Sequence, residues 1–202
     1  MSQNINTQVK PYELTEAKPG SFIFEIPNAL PADLCNEMIR RFEEKKDQQY
    51  PGRIGQLQTQ DQSIKKSTDL VISGKDDWKD IDQFMFRSLG LAMRVFKEQY
   101  PFFNGPFKDM GYAIQRTNPG EFYHWHIDGG SHEFSQRQLV AVWYLNDVSG
   151  PGGRTEFSCQ DVHITPEQGK LLLFPPFWTH EHRGETLQKG VKYIATTWVV
   201  FA

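Results

Sequence analysis

From about residue 108 onward the chain is a succession of short runs rich in Val, Ile, Tyr, Phe, Trp and Thr, each closed by a Gly- or Pro-bearing turn. No other feature constrains the fold as strongly, because strands without helices between them pair antiparallel and bury one face against a second sheet. The runs predict strands near 110–117, 121–128, 137–146, 154–158, 161–165, 170–174, 179–183 and 191–201. Turn chemistry separates them at Asn118-Pro119-Gly120, Gly129-Gly130, Ser149 to Gly153, Glu167-Gln168-Gly169 and Lys189-Gly190. About eight such strands suggest a sandwich or a double-sheet jelly roll.

The first hundred residues have another texture. After a short apolar stretch, Phe22–Ile26, the residues Leu34, Cys35, Met38, Ile39 and Phe42 recur at helical spacing, with Pro31 near the start. Trp78, Ile81, Met85, Leu89, Ala92 and Phe96 form a second stripe, with Gly90 inside it and Pro101 just past it. That stripe predicts a helix of about five to six turns whose aromatics belong to the core. Residues 45–75 are polar and irregular, and read either as a lid over a site or as a solvated connection. The expected class is α+β in one domain spanning 1–202, with 1–107 mostly helical support and loop and 108–202 the jelly-roll core.

A net charge of -3 and a pI near 6.1 argue against nucleic acid or an anionic membrane as partner. Two cysteines, Cys35 and Cys159, do not make a disulfide framework and suggest a reducing cytoplasm. The start of the chain lacks an apolar signal segment, and no apolar run reaches the ~18 residues of a membrane span.

The richest segment for chemistry is Tyr123-His124-Trp125-His126-Ile127-Asp128-Gly129-Gly130. In a strand, residues two apart share a face, so His126 and Asp128 point together. An imidazole and a carboxylate are two legs of a metal site, and a second His from another strand completes a two-His-one-carboxylate triad. Such a triad leaves open positions for oxygen chemistry at Fe(II). By the same alternation His124 shares that face, and the distal segment Thr179-His180-Glu181-His182-Arg183 offers two further imidazoles, His180 and His182.

The stretch 110–200 resembles the catalytic core of the prolyl-4-hydroxylase-like branch of the 2-oxoglutarate/Fe(II) dioxygenases. The resemblance rests on His126-Ile127-Asp128, Tyr144-Leu145-Asn146, Gly152-Gly153-Arg154-Thr155-Glu156-Phe157, Pro166-Glu167-Gln168-Gly169, His182 and Lys192, in that order. It implies a double-stranded β-helix, with Fe(II) on His126, Asp128 and His182. His182 lies ten residues before Lys192, as in the family pattern, whereas His180 lies twelve before it and is expected either behind the metal ligands or near the substrate. His124 is expected at the rim or in a hydrogen bond. A cupin-like site centred on it would want a Glu where Gly130 and Ser131 stand, and a metallo-β-lactamase-like site would want a His at Gly129.

The resemblance further implies that Lys192 and Tyr144 hold the far carboxylate of 2-oxoglutarate, with Thr196 and Trp198 lining the pocket. Relatives often carry a Tyr ten residues before the proximal His. Arg116 stands there, either to pair with the C1 carboxylate or a substrate anion or to point outward. Arg183 and Arg154 are candidate rim contacts. The implied reaction is hydroxylation of an unactivated C–H in a prolyl or other peptidyl residue, or in a free small molecule. 2-Oxoglutarate leaves as succinate and CO2, and ascorbate is a candidate auxiliary reductant. Two rivals remain, a Zn or Mn jelly-roll hydrolase or isomerase with no use for Lys192, and a non-catalytic binding module that would have lost a ligand.

Overall fold

Alternation along the strands fixes the layering. Leu139, Ala141 and Trp143 are buried in one core, while Val140, Val142 and Tyr144 are buried in another. A strand buried on both faces is the middle of a layered structure. The computed structural model describes residues 12–55 and 57–202. In chain order the elements begin β1 (Thr15–Glu16), β2 (Phe24–Ile26), α1 (Ala32–Glu44), β3 (Tyr50–Pro51), β4 (Lys65–Lys66), β5 (Thr68–Val71) and α2 (Lys79–Gln99). They continue β6 (Phe107–Asp109), β7 (Ala113–Thr117), β8 (Phe122–His126), β9 (Arg137–Tyr144), β10 (Thr155–Phe157) and β11 (Val162–Ile164), and end β12 (Leu171–Phe174), β13 (His182–Gly184) and β14 (Lys192–Phe201).

A large sheet runs β1-β2-β12-β9-β14-β7-β5-β3, with β6 also on β14. A smaller sheet runs β11-β10-β13-β8-β4 and faces it. Phe157, Val162, Ile164 and Phe174 fill the space between them, as the jelly-roll expectation requires. The outer face of the large sheet is covered by the helices. Trp78, Ile81, Met85, Leu89, Ala92 and Phe96 of the second apolar stripe are all buried there, together with Cys35, Met38 and Phe42 of α1.

The N-terminal part departs from the expectation of mostly helix and loop. Among the described residues its two α-helices are 13 and 21 residues long, and five strands accompany them. β1 and β2 extend one edge of the large sheet, β5 and β3 extend the other, and β4 completes the small sheet. These strands have two to four residues, too short to show a period of two in sequence. Their partners select them, through pairs such as Leu171↔Ile26 and Asp69↔Gln115.

Gly90 sits on the exposed side of α2 with helical backbone and open space where a Cβ would stand. Gly90→Ala is expected to raise stability by about 1 kcal/mol. The check is a higher urea midpoint at unchanged slope.

Candidate active site

His126 closes β8 and His182 opens β13, and the two residues lie directly opposite each other across neighbouring strands. Asp128 follows β8 by two residues. One donor atom from each of the three lies within 4.8 Å of the others. Backbone carbonyls orient both rings. His126 Nδ1 is 2.7 Å from the oxygen of His124, and His182 Nδ1 is 3.0 Å from the oxygen of His180. A carbonyl only accepts, so each Nδ1 donates and each Nε2 keeps its lone pair for a metal. His182 Nε2 lies 3.3 Å from Asp128 Oδ2.

The loop carrying Asp128 is held by its backbone. The amides of Asp128 and Gly129 donate to the Pro176 carbonyl at 3.1 and 2.7 Å. A Cβ on Gly129 would come 3.2 Å from the Pro176 ring, so a glycine suits the approach. Arg137 Nη1 donates to the Asp128 carbonyl at 2.7 Å. Burial pushes the Asp128 carboxyl up, but the hydrogen bond and charge of His182 outweigh it and hold the group below the usual carboxylate range. Burial pushes His126 down to about 3. A carboxylate and a neutral imidazole are the forms that bind a metal. Tyr123 lies flat on His126, with ring centroids 3.6 Å apart.

The triad opens into a cavity of about 450 Å³ between the sheets, and Lys192 lines the same cavity. Lys192 is 5% exposed. Its Nζ donates to the Gly153 carbonyl at 2.9 Å, and among the described residues no acid pairs with it. Gly153 has φ +83°, and a Cβ there would come 2.8 Å from Leu187 Cδ1. An ammonium carries three N–H donors, so a single carbonyl leaves it undersatisfied. Burial accordingly pushes Lys192 down to about 8. Thr155, Thr196 and Trp198 also line the cavity, while Tyr144 lies just behind its wall with its hydroxyl 2.7 Å from Thr155 Oγ1.

Five residues expected at the site lie elsewhere. His180 belongs to a 3-10 turn rather than the strand, is buried, and bonds the Ser21 carbonyl through Nε2 at 2.9 Å, away from the cavity. His124 is exposed and outside the cavity lining. Between the pairs His182↔His126 and Gly184↔Tyr123 the strand β8 carries an extra residue, and this bulge places Tyr123 rather than His124 beside His126. Arg116 points to the helical side, where it pairs with Glu43 at 2.7 Å and lies over Phe42. Its strand neighbours Gln115 and Thr117 face the cavity instead. Arg183 and Arg154 both pair with the buried Glu156 at the outer face of the small sheet. Arg116→Ala is therefore expected to leave the KM for 2-oxoglutarate unchanged while lowering stability by about 1 kcal/mol.

Arg137 and Lys65 were not expected in the cavity, and both line it. Lys65 is buried against Asp69 at 2.7 Å. Alternation from Leu139 would send Arg137 to the helical side. A register shift on β9, between Val199↔Leu139 and Val200↔Arg137, turns it inward. An Arg heading an otherwise apolar strand was the available signal.

Residues 112–200 match the model of the 2OG-Fe(II) oxygenase superfamily. No curated protein sequence matches the chain. Among solved structures, a prolyl hydroxylase from Trichoplax adhaerens, in complex with a hypoxia inducible factor oxygen degradation domain peptide, superposes with a TM-score of 0.74 at 17% identity. The match covers 90% of this chain and 84% of that one. A Pseudomonas putida prolyl-4-hydroxylase gives 0.68 at 21% identity, covering 90% and 93%. The viral collagen prolyl hydroxylase of Paramecium Bursaria Chlorella virus-1, in its 2OG complex, gives 0.67 at 17% identity, covering 91% and 98%. The matched segment contains the strands from β7 onward and all three residues of the metal set; over it the chain is similar to the 2OG-Fe(II) oxygenase superfamily, and its fold is shared with the three prolyl hydroxylase structures.

Proposed function

We propose that His126, Asp128 and His182 hold the iron, that Lys192 anchors the far carboxylate of 2-oxoglutarate, and that the enzyme hydroxylates a prolyl residue in a peptide. One observation carries the reading: a two-His-one-carboxylate set and a buried ammonium without an acid partner line one cavity. The donor set suits Fe(II), with two imidazole Nε2 atoms free and one ionised carboxylate. When bound, iron and 2-oxoglutarate supply the oxidising chemistry, and the cosubstrate leaves as succinate and CO2.

The chain's own residues position and shield. The carbonyls of His124 and His180 keep the imidazoles turned. Phe174 and Phe157 pack on His182 and keep water from that side. Thr155 is held at the wall by Tyr144, beside the place the cosubstrate would take. The polar segment around Arg53, Ile54 and Gln58 borders the cavity and suits a cover over bound substrate.

A peptide substrate is supported by the names of the three structural neighbours, and by Trp125 and Ile127, about 40% exposed at the cavity. We read the whole chain as one catalytic unit, since the N-terminal strands complete both sheets. A reducing cytoplasm fits the two unpaired cysteines, and among the described residues no helix is long and apolar enough to cross a membrane. The test is succinate formation from 2-oxoglutarate with Fe(II), with and without proline-containing peptides, alongside a mass gain of one oxygen in the peptide. Succinate without any oxidised peptide would leave the enzyme class standing and remove the prolyl substrate.

The Lys192 anchor carries a pH signature. Its proton is held more weakly in the folded chain, at about 8, than in the unfolded one, at 10.5. For the protein alone the ammonium opposes folding fully below about pH 8. That penalty fades as the pH rises toward 10.5, so this group's contribution makes the protein more stable across the window. Binding of the cosubstrate has the opposite sign, because the carboxylate needs the ammonium. The Kd for an unreactive 2-oxoglutarate analogue is expected to rise above pH 8, as calorimetry across that range would read.

A further inference from the structure

The cavity's charges can be paired off one by one. Asp128 belongs to the metal set and Lys192 to the cosubstrate under the reading above. Lys65 is neutralised by Asp69 at 2.7 Å, and Glu185 by Arg154 at 2.9 Å. Two guanidiniums remain on the lining, Arg137 and Arg53, and among the described residues neither forms an ion pair.

Arg137 is 9% exposed, with its guanidinium 3.9 Å from the Phe134 ring centre and 3.8 Å from that of Trp198. Nη1 is used on the Asp128 carbonyl, while Nε is buried with no partner. Arg53 lies over Tyr50 at 4.6 Å on the segment bordering the same cavity. The positive lining is not a by-product of composition, since the chain carries a net charge of -3. A buried guanidinium without a counter-charge is costly, and Arg137, with the exposed Arg53 beside the same cavity, asks for an anion. Among the described residues Nη2 takes no protein partner, and a carboxylate that meets the guanidinium there in its plane makes a charge-assisted hydrogen bond. A backbone carbonyl would take one donor and neutralise nothing.

We propose that the peptide substrate carries an Asp or Glu next to the residue oxidised, and that Arg137 and Arg53 form the seat for its carboxylate. This rests on the peptide reading above and adds a charge requirement to it.

The test is binding of matched proline-containing peptides that differ only by Glu or Gln at positions flanking the proline. Calorimetry on the enzyme with Fe(II) and 2-oxoglutarate, kept free of oxygen, reads binding apart from turnover. At one flanking position the Glu peptide is expected to bind about tenfold tighter than its Gln partner, the scale of a charge-assisted hydrogen bond. The advantage should shrink at high salt. Arg53→Gln should reduce the preference, and Arg53→Glu should turn it toward a Lys peptide. Because Arg53 stands on a surface segment, these variants keep the test open if Arg137 variants fail to fold. Equal binding of Glu and Gln peptides at every position overturns the proposal, as does the absence of binding by any of them. N-acetylproline competing as well as the acidic peptides overturns it too, in favour of a terminal carboxylate. A Glu peptide that binds tenfold better yet gains no oxygen in air leaves the acid seat standing and removes the prolyl substrate instead.

Discussion

His182→Ala is expected to remove iron-dependent turnover of 2-oxoglutarate, by about a thousandfold or more. That corresponds to about 4 kcal/mol at 1.36 kcal/mol per tenfold. The reason is geometric. His182 faces His126 across two strands and brings its Nε2 to 3.3 Å from Asp128. Without it, one imidazole and one carboxylate remain, too few to hold Fe(II) in a defined geometry. His180→Ala is the control, and its expected effect differs in kind. Its ring bonds Ser21 and Thr179 in the protein interior, so truncation leaves buried groups unpaired at a cost of about 1–3 kcal/mol. Iron binding should survive. Metal analysis, thermal unfolding and succinate release on the two variants separate a lost ligand from a loosened core. Iron lost with His180 and kept without His182 would mean that the wrong imidazole had been assigned.

Lys192→Ala is expected to raise the KM for 2-oxoglutarate without weakening the fold. Removing one partner of a buried charge pair costs about 2–5 kcal/mol. At 1.36 kcal/mol per tenfold that is about thirtyfold to a few thousandfold in KM. The protein itself gains, because an ammonium bound to a single carbonyl has left the interior. Lys192→Met, which keeps the volume, should unfold at a higher temperature than the wild type while showing the same rise in KM. A purely structural lysine would show the reverse, with stability lost and KM intact. That outcome would remove Lys192 from the cosubstrate site.

Regular periodicity made much of this architecture readable in advance. The β-rich half has its strands near the expected places because each is bounded by turn chemistry, as at Gly120, Gly169 and Gly190. The helix from Lys79 to Gln99 follows from six apolar positions that are all buried. His126, Asp128 and His182 come together in space as their motif suggests. Irregularities were not readable. The bulge on β8 sends His124 outward, and the register shift on β9 brings Arg137 inward. Both reverse the face that alternation predicts, and both stand beside the cavity, where bulges re-aim side chains. The short turn at Trp178–His180 takes His180 out of the strand expected near 179–183. Arg116 was chosen by its spacing from His126, but it lies on the face of β7 that meets α1, and only the pairing of β7 with β5 and β14 reveals that. The strands before residue 72 are too short to carry a pattern of their own.

His126, Asp128 and His182 would hold the iron, and Lys192 would anchor the 2-oxoglutarate beside it. The most direct measurement is an oxygen-free titration of the protein with Fe(II) and 2-oxoglutarate, following the visible charge-transfer band of the chelated metal. The expected band saturates at one iron per chain, disappears in His182→Ala, persists in His180→Ala, and needs far more 2-oxoglutarate in Lys192→Ala. A band that survives in His182→Ala, or that forms at unchanged 2-oxoglutarate concentration in Lys192→Ala, would contradict these assignments.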